Sequence, residues 1–576
     1  MPYRAPVSEF SFLLDKVVGF SRVQGTDRFA EATPDTVSAV LTEAGKLCDE
    51  VMAPLQRAGD LTPARLENGV VRSSPGFAEG YRAIADGGWV AITADPDHGG
   101  MGLPLTVATA VNDMMAGACL ALQLNPLLTQ GQIEALEHHA DDAMKALYLP
   151  RLISGEWTGT MNLTEPQAGS DVGALTSKAE DNGDGTFAIT GQKIYISWGD
   201  TDFAENVCHL VLARLPGAPE GTRGISLFMV PKLIPDDQGN PGVANSLKVV
   251  SLEHKMGLHG SPTCVMSFER ATGWIVGAPG GGMKAMFTMM NNARLGVGGQ
   301  GVGAAEGAYQ HALAFANERR QGRTPEGTII GHADVRRMLA TMKADIFAAR
   351  AIELDCALSI DMSRAEGAAG PAAGDETPPS WQARAAFLTP IAKAFGTDIG
   401  CEVAQMGVQV HGGMGYVEES GAAQFYRDVR VTAIYEGTNG IQAMDLVGRK
   451  LMDDGETAFA LLDEIEAEAE AARGALPDLA EAVWEATESL REATEWLLTQ
   501  EMTARFATAV PFLRAFARVL GGHYHLRAAM ADPQGARGRL ARFYIARLLP
   551  EHRALLAHVR AGDAALMEIS PDDLAA

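Results

Sequence analysis

Four short stretches carry residues whose types and spacing could do chemistry. The first is Met161-Asn-Leu-Thr-Glu-Pro-Gln-Ala-Gly-Ser-Asp171, where Pro166, Gly169 and Ser170 argue for a turn-rich loop. Its backbone N–H groups and the Thr164 and Ser170 hydroxyls suit the polar atoms of a flat heterocycle or a phosphate. An ordinary inter-domain loop would carry the same residues. The second, Gly191-Gln-Lys-Ile-Tyr-Ile-Ser-Trp198, reads as a strand, with Tyr195 and Ser197 on one face and Ile194 and Ile196 on the other. A ring and a hydroxyl side by side can line a planar cofactor, or can belong to a core. The third, Gln409-Val-His-Gly-Gly-Met-Gly-Tyr416, has glycines that let another group approach the backbone. The fourth is Arg427-Asp-Val-Arg-Val-Thr-Ala-Ile-Tyr-Glu-Gly-Thr-Asn-Gly-Ile-Gln442. Here Glu436 stands before a Gly437-Thr-Asn-Gly440 turn that leads into an apolar helix, Ile441 to Leu451, with Thr438 or Asn439 as its N-cap. That helix N-terminus favours an anion such as pyrophosphate. A lone Glu in a loop is usually a solvated charge, and the Arg427/Asp428/Arg430 cluster reads as a structural ion-pair set.

The elements that must position these residues fall into five regions. Residues 1–35 read as an irregular leader. Residues 36–155 read as a helical domain, since Val37, Val40, Leu41 and Ala44 recur at three- and four-residue steps, with Pro104 and Pro126 marking breaks. From 156 to 275 the chain reads as a compact antiparallel β domain: Phe187–Thr190, His209–Ala213, Gly224–Val230 and Thr263–Phe268 are β-rich runs divided by turns such as Asn182-Gly-Asp-Gly185. Residues 276–450 read as a helical bundle, and Glu366 to Ser380 as a mobile inter-helix loop. Residues 451–576 add a further helical domain, acidic at Glu464, Glu466, Glu468 and Glu470, then rich in arginine. The fold class is therefore α+β, mainly α. A β unit set between helical ones creates clefts at the junctions, where cofactor sites form.

Composition excludes some functions. The 576 residues exceed one ordinary core, and 47% hydrophobic with 21% charged residues is a globular profile. A net charge of -25 repels nucleic acid and anionic lipid, so an anionic ligand needs a local cationic pocket. Cys48, Cys119, Cys208, Cys264, Cys356 and Cys401 have no metal-ligand spacing and read as reduced thiols of a cytoplasmic protein; no metal site is expected. MPYRAPVSEF lacks the pattern of a signal peptide. The most apolar stretch, Leu105 to Leu128, is broken by Asn112, Asp113, Gln123 and Asn125, which fits a buried helix better than a membrane span.

Taken together, T-E-P-x-A-G-S-D, G-Q-K-x-x-I-S, Q-x-x-G-G and Y-E-G-T occur in the order found in the acyl-CoA dehydrogenase family, and the chain resembles that family over roughly residues 36–450. The resemblance implies bound FAD and dehydrogenation of an acyl-CoA thioester at its α,β bond. It makes Glu436 the base, with the Glu436 N–H and a ribityl hydroxyl of FAD holding the thioester carbonyl. It places Met161, Leu163 and Thr164 at the flavin, with Tyr195 and Ser197 where members usually carry Trp and Thr. Thr438 and Gly440 match the diphosphate loop. Arg319, Gln409 and Gly413 match FAD contacts made to a neighbouring subunit, which implies a homo-oligomer, at least a dimer. Ser170, Arg294 and Gly437 match CoA contacts, and Asn291 falls where some members carry Asp. Electrons would pass to an electron-transfer flavoprotein.

The long form, with its added C-terminal block, is similar to bacterial members that include 3-methylmercaptopropionyl-CoA dehydrogenases. That implies a short thioether acyl chain and a role in dimethylsulfoniopropionate catabolism; ordinary short- or medium-chain acyl-CoA is the alternative. The arginine-rich tract from Arg505 to Arg560 invites a second alternative, an FAD-holding relative that binds nucleic acid. Against it, Leu540, Phe543, Ile545, Leu548 and Leu549 have helical spacing, and the acidic segment can face the arginines. A desulfinase or oxidase on the same scaffold is a further alternative: Glu436 argues against a mechanism that needs no α-base, and oxygen uptake with no added acceptor would mark an oxidase.

Overall fold

A computed structural model describes residues 3–366 and 380–576; the loop expected between Glu366 and Ser380 lies almost wholly outside them. Helices come first, then strands, then helices again. The Pro34–Lys46 helix starts at Thr33, whose hydroxyl accepts from Thr36 N at 3.2 Å, and it buries Val37, Leu41 and Ala44.

The expected irregular leader is instead helical. Val7–Phe12 forms a helix that continues as a π-turn, Leu13–Val17, and buries Phe10, Leu13, Leu14, Val17 and Val18. Those positions step by three and four, and Pro6 starts the helix as its N-cap rather than breaking it. Glu9, on the same turn, reaches the buried Arg350 at 2.6 Å and Arg537 at 2.6 Å, so the leader joins the centre of the protein to its C-terminal block.

The expected break at Pro126 is also misplaced. Leu105–His139 runs through Pro126 and is interrupted at Cys119, whose φ -156° and ψ 89° are not helical. Asn112 Nδ2 donates to Gln130 Oε1 at 3.0 Å. A straight helix would hold those residues about 27 Å apart, so the two arms double back and lie side by side. This segment is long and apolar enough to cross a membrane, yet nearly all of it is buried within the protein.

The large sheet runs, edge to edge, Leu247–Leu252, Thr263–Val276, Phe187–Ser197, Lys178–Asp181, Asn206–Arg214 and Trp157–Asn162, with Ile225–Pro231 pairing both Thr263–Val276 and Asn206–Arg214. It is antiparallel except where Asn206–Arg214 runs parallel to Trp157–Asn162 and, at one bridge, to Lys178–Asp181. Leu210 and Leu212 face the main helical core, while Val211 and Ala213 face a smaller core with Ile189, Phe228 and Phe268. Burial on both faces explains why these strands read as unbroken apolar runs.

The long helices Gly282–Glu318, Ala333–Glu366 and Trp381–His411 follow, and the C-terminal helices gather around Ala509–Ala531, which packs on the last two of them. The arginine-rich tract faces acids, as its spacing suggests. Arg527 bonds Glu468 and Glu464, Arg518 pairs with Asp345 and Glu551, and Arg514 with Glu402 and Glu551. The six cysteines are free thiols.

Candidate active site

Glu436 sits in a loop whose backbone is held from several sides. It has φ 55°, followed by Gly437 at φ 83°, so two successive residues lie in the left-handed region. That conformation suits glycine and is costly for a side-chain-bearing residue; it persists where surroundings over-determine it. Here they do. Gln442 Nε2 donates to Glu436 O at 3.2 Å and Gly437 O at 3.3 Å. Lys393 Nζ donates to Gly437 O at 3.0 Å and Asn439 Oδ1 at 2.8 Å. Asn439 Nδ2 in turn reaches Asp398 Oδ1 at 2.6 Å. Thr438 caps the next helix, its hydroxyl accepting from Ile441 N at 3.3 Å. That helix, Asn439–Asp445, passes into a π-turn, Leu446–Lys450.

Burial pushes the Glu436 carboxyl up to about 7, against the lowering pull of Arg294 and Lys393. Burial likewise lowers Lys393 to about 8, against the charge of Glu436. The Arg294 side chain is buried, its guanidinium 6.0 Å from the centre of the Phe287 ring, and Glu436 and Asp445 act on it electrostatically. A carboxylate near 7 is a base matched to neutral pH, and two cations close by suit an anionic ligand.

The second group of residues comes from the β unit. Met161 lies near the end of Trp157–Asn162, and Leu163 and Thr164 follow, all partly exposed. Lys193 Nζ donates to Leu163 O at 3.0 Å and to Glu165 Oε1 at 2.8 Å, while Ile194 N donates to Thr164 O at 2.9 Å, which fixes the loop to the strand. Ser170 is exposed further along. The expected simple alternation of Ile194 to Ser197 is broken by a bulge: Ile196 pairs with Cys264 but Lys193 with Met266, and Tyr195 takes φ 59°. Tyr195 is consequently 62% exposed, and Ser197 half-buried beside the wholly buried Trp198.

These features fit FAD. The bulge presents an aromatic face from a rigid strand, and a Cβ added at Gly169, Gly412 or Gly413 would meet nothing within 4 Å, so another molecule can approach the backbone there.

One copy does not gather every expected residue. Arg319 is exposed at the C-cap of Gly282–Glu318, about 37 Å of helix beyond Arg294. Gln409, exposed in the last turn of Trp381–His411, stands about 24 Å of helix beyond Lys393. These two helix ends meet where His411 stacks on Phe315 and His311. Arg319, Gln409 and Gly413 thus belong to one end of the bundle and Glu436, Arg294 and Thr438 to another place. Gly437 and Gly440 flank Thr438. Asn291 lies on Gly282–Glu318, and its side chain falls outside the described residues. The Arg427 cluster is structural, though not as a pair with its neighbour. Arg427 bonds Asp60 at 2.8 and 2.9 Å, and the buried Asp428 accepts from Leu258 N at 2.6 Å. Sequence reasoning missed Lys393, which no motif marks and which lies 44 residues before Gly437.

Comparison with known proteins agrees along most of the chain. The family description "Acyl-CoA dehydrogenase, N-terminal domain" matches residues 35–156, "middle domain" residues 160–271 and "C-terminal domain" residues 280–452. "Acetyl-CoA dehydrogenase C-terminal like" matches residues 461–570. The chain is 43% identical to 3-methylmercaptopropionyl-CoA dehydrogenase of Ruegeria pomeroyi, over 95% of this chain and 94% of that protein. It is 31% identical to a butyryl-CoA dehydrogenase of Syntrophomonas wolfei, over 95% of each. Among solved structures, Caenorhabditis elegans ACDH-11 in complex with C11-CoA has the same fold, with a TM-score of 0.78 at 20% identity over 94% of this chain and 91% of that one.

Proposed function

The chain belongs to the acyl-CoA dehydrogenase family, FAD-dependent oxidoreductases acting on CH–CH bonds, and on that premise we propose that it dehydrogenates 3-methylthiopropionyl-CoA to methylthioacryloyl-CoA with Glu436 as base. The observation that carries the base is a half-buried carboxyl raised to about 7 in a rigidly held loop. The 43% identity over nearly the full chain supports the thioether substrate.

The chemical problem is a weakly acidic C–H. Glu436 takes the α-proton, and the bound acyl chain, by excluding water, makes that carboxylate more basic still. The Glu436 N–H donates to the thioester oxygen as charge develops there. Bound FAD supplies the acceptor for the β-hydride. Met161, Leu163, Thr164, Tyr195, Ser197, Thr438 and Gly440 would hold it, with Arg319, Gln409 and Gly413 supplied by a second copy. Ser170, Asn291, Arg294 and Gly437 would face CoA, where Arg294 and Lys393 offset the excess negative charge of the chain. This division of residues supports a homo-oligomer, at least a dimer, and an electron-transfer flavoprotein is the acceptor we assign. A monomer that holds FAD in light scattering would remove the basis for the dimer.

The test is an anaerobic titration of the purified enzyme, watching the oxidised flavin band. 3-Methylthiopropionyl-CoA should bleach it faster than butyryl-CoA and longer straight chains. Preference for butyryl-CoA would instead favour the ordinary short-chain reading, which the Syntrophomonas relative supports. No bleaching by any acyl-CoA, with flavin bound, would sink the reading.

A further inference from the structure

Tyr435, the residue before Glu436, begins an unbroken run of side-chain hydrogen bonds that crosses the protein. Its hydroxyl donates to Gln300 Oε1. Gln300 Nε2 donates to Gln123 Oε1 at 2.8 Å, and Gln123 Nε2 to Asn112 Oδ1 at 3.4 Å. Asn112 Nδ2 donates to Gln130 Oε1 at 3.0 Å, and Gln130 Nε2 ends the run on Trp89 O at 2.9 Å.

The direction of this run is set by its far end. A backbone carbonyl only accepts, so Gln130 must present its nitrogen to Trp89 and its oxygen to Asn112. The same constraint passes from amide to amide, and Tyr435 is left as the donor. Each amide therefore donates once and accepts once along the run, an arrangement in which neighbouring bonds polarise one another.

All four amides, Asn112, Gln123, Gln130 and Gln300, are buried. Burying an amide costs free energy unless it is paired, and apolar side chains would fill these positions without that cost. The run also spans three parts of the molecule: the Glu436 loop, the Gly282–Glu318 helix, and both arms of the segment that doubles back at Cys119. It ends beside Trp89 in the N-terminal region.

We infer that Tyr435, Gln300, Gln123, Asn112 and Gln130 form a positioning relay that fixes the loop, and with it the left-handed Glu436, against the helices across from it. None of the five is assigned contact with the reacting atoms. The relay acts through Tyr435, whose rotamer is locked by its bond to Gln300 and whose main chain continues into Glu436. The inference rests on Glu436 being the base.

The test uses the FAD-loaded enzyme, three single variants of the relay, one double variant and Glu436→Gln as a control. Gln300→Met keeps length and removes the acceptor of Tyr435. It should lower kcat roughly tenfold or more, as small misplacements of a catalytic group do, while KM changes by about twofold or less. The acid limb of the pH profile should move as well, because Glu436 would meet a different degree of solvation. Gln130→Met, at the far end, should lower kcat in the same sense but less. Combining Tyr435→Phe with Gln300→Met should cost no more than the worse single change, since both remove one shared bond. A Gln300→Met enzyme that is less heat-stable yet keeps wild-type kcat and pH profile would overturn the relay and leave a structural network. If Gln300→Met does not fold, Tyr435→Phe decides alone, and wild-type kcat in it overturns the proposal. Glu436→Gln runs alongside. Bleaching by that variant would sink the base reading and the relay with it, whereas an inert Glu436→Gln beside an unaffected Gln300→Met sinks only the relay.

Discussion

Two Glu–Lys couples within the four motif regions and their surroundings behave in opposite ways. In the β unit, Glu165 and Lys193 lie 2.8 Å apart, both buried. Glu165 also accepts from Thr176 N at 2.7 Å, Ser177 N at 3.1 Å and Gln167 Nε2 at 2.7 Å, and its carboxyl is held down to about 2 although burial alone would raise it. In the Glu436 loop the lysine bonds to Gly437 O and Asn439 Oδ1 instead, and the carboxyl rises to about 7. The residue types are the same, although Glu165 is fully buried and Glu436 half-buried. The charge of Lys193 in direct contact, together with the hydrogen-bond donors at its oxygens, keeps Glu165 ionised at neutral pH, while Glu436, without such contacts to Lys393, is held near neutrality. One couple shapes the loop that carries Met161, Leu163 and Thr164, and the other is assigned to the chemistry.

The comparison breaks most sharply at Glu436→Gln. General-base removal should cut flavin bleaching by acyl-CoA by about 10²- to 10⁴-fold with flavin still bound. Rapid-mixing kinetics on the oxidised band measures it, and near-normal bleaching would erase the distinction between the two acids. Glu165→Gln should do the reverse. It leaves Lys193 buried without its carboxylate, and breaking a buried pair costs about 3–5 kcal/mol. Urea denaturation should show that loss, with flavin released early, while any folded fraction keeps its base.

The frame around Glu436 was legible in the sequence, though the contrast between the two couples was not. Thr438 precedes an apolar run, so the cap could be read locally, whereas Glu436 by itself reads as a solvated charge and becomes a base only through the resemblance that the four motifs carry together. The helix–strand–helix order followed from the change of period near residue 156. What could not be read depends on contacts between distant residues. Lys393 looks like any lysine in an apolar helix until the loop folds over it. The turn at Cys119 is marked only by Gly117, two residues before it, and the proline that drew attention sits inside the second arm. Tyr195 gave a strand residue but not the bulge, because the extra residue is defined only against the partner strand. The placement of Arg319 and Gln409 at one end of the bundle needed helix lengths as well as motifs.

A milder probe varies pH. Glu436 must be ionised to act, so kcat/KM should rise with pH through an inflection at about 7, the value burial gives the free enzyme. Glu165 should leave no mark on that profile. Its folded value is depressed, so the stability it contributes is complete above the ordinary carboxylate range and is lost only as pH falls toward about 2. An inflection near 4.5 would mean that Glu436 is as well solvated as a surface acid, and the contrast between the couples would fail.

The finest test lies in Lys393→Met. The lysine charge favours the ionised form of Glu436, so its removal should move the acid limb to higher pH and cost about two- to fivefold in kcat/KM at pH 7, where the ionised fraction is most sensitive. The effect should fade above pH 8, because Lys393 itself, lowered to about 8 by burial, is neutral there in the wild type. Lys393 also holds Gly437 O and Asn439 Oδ1, and loss of those bonds would lower the plateau at high pH without moving the limb. Limb and plateau therefore separate the electrostatic role of the lysine from its structural one. A limb that stays at its wild-type position, whatever the plateau does, would show that Lys393 serves the loop just as Lys193 serves Leu163 and Glu165.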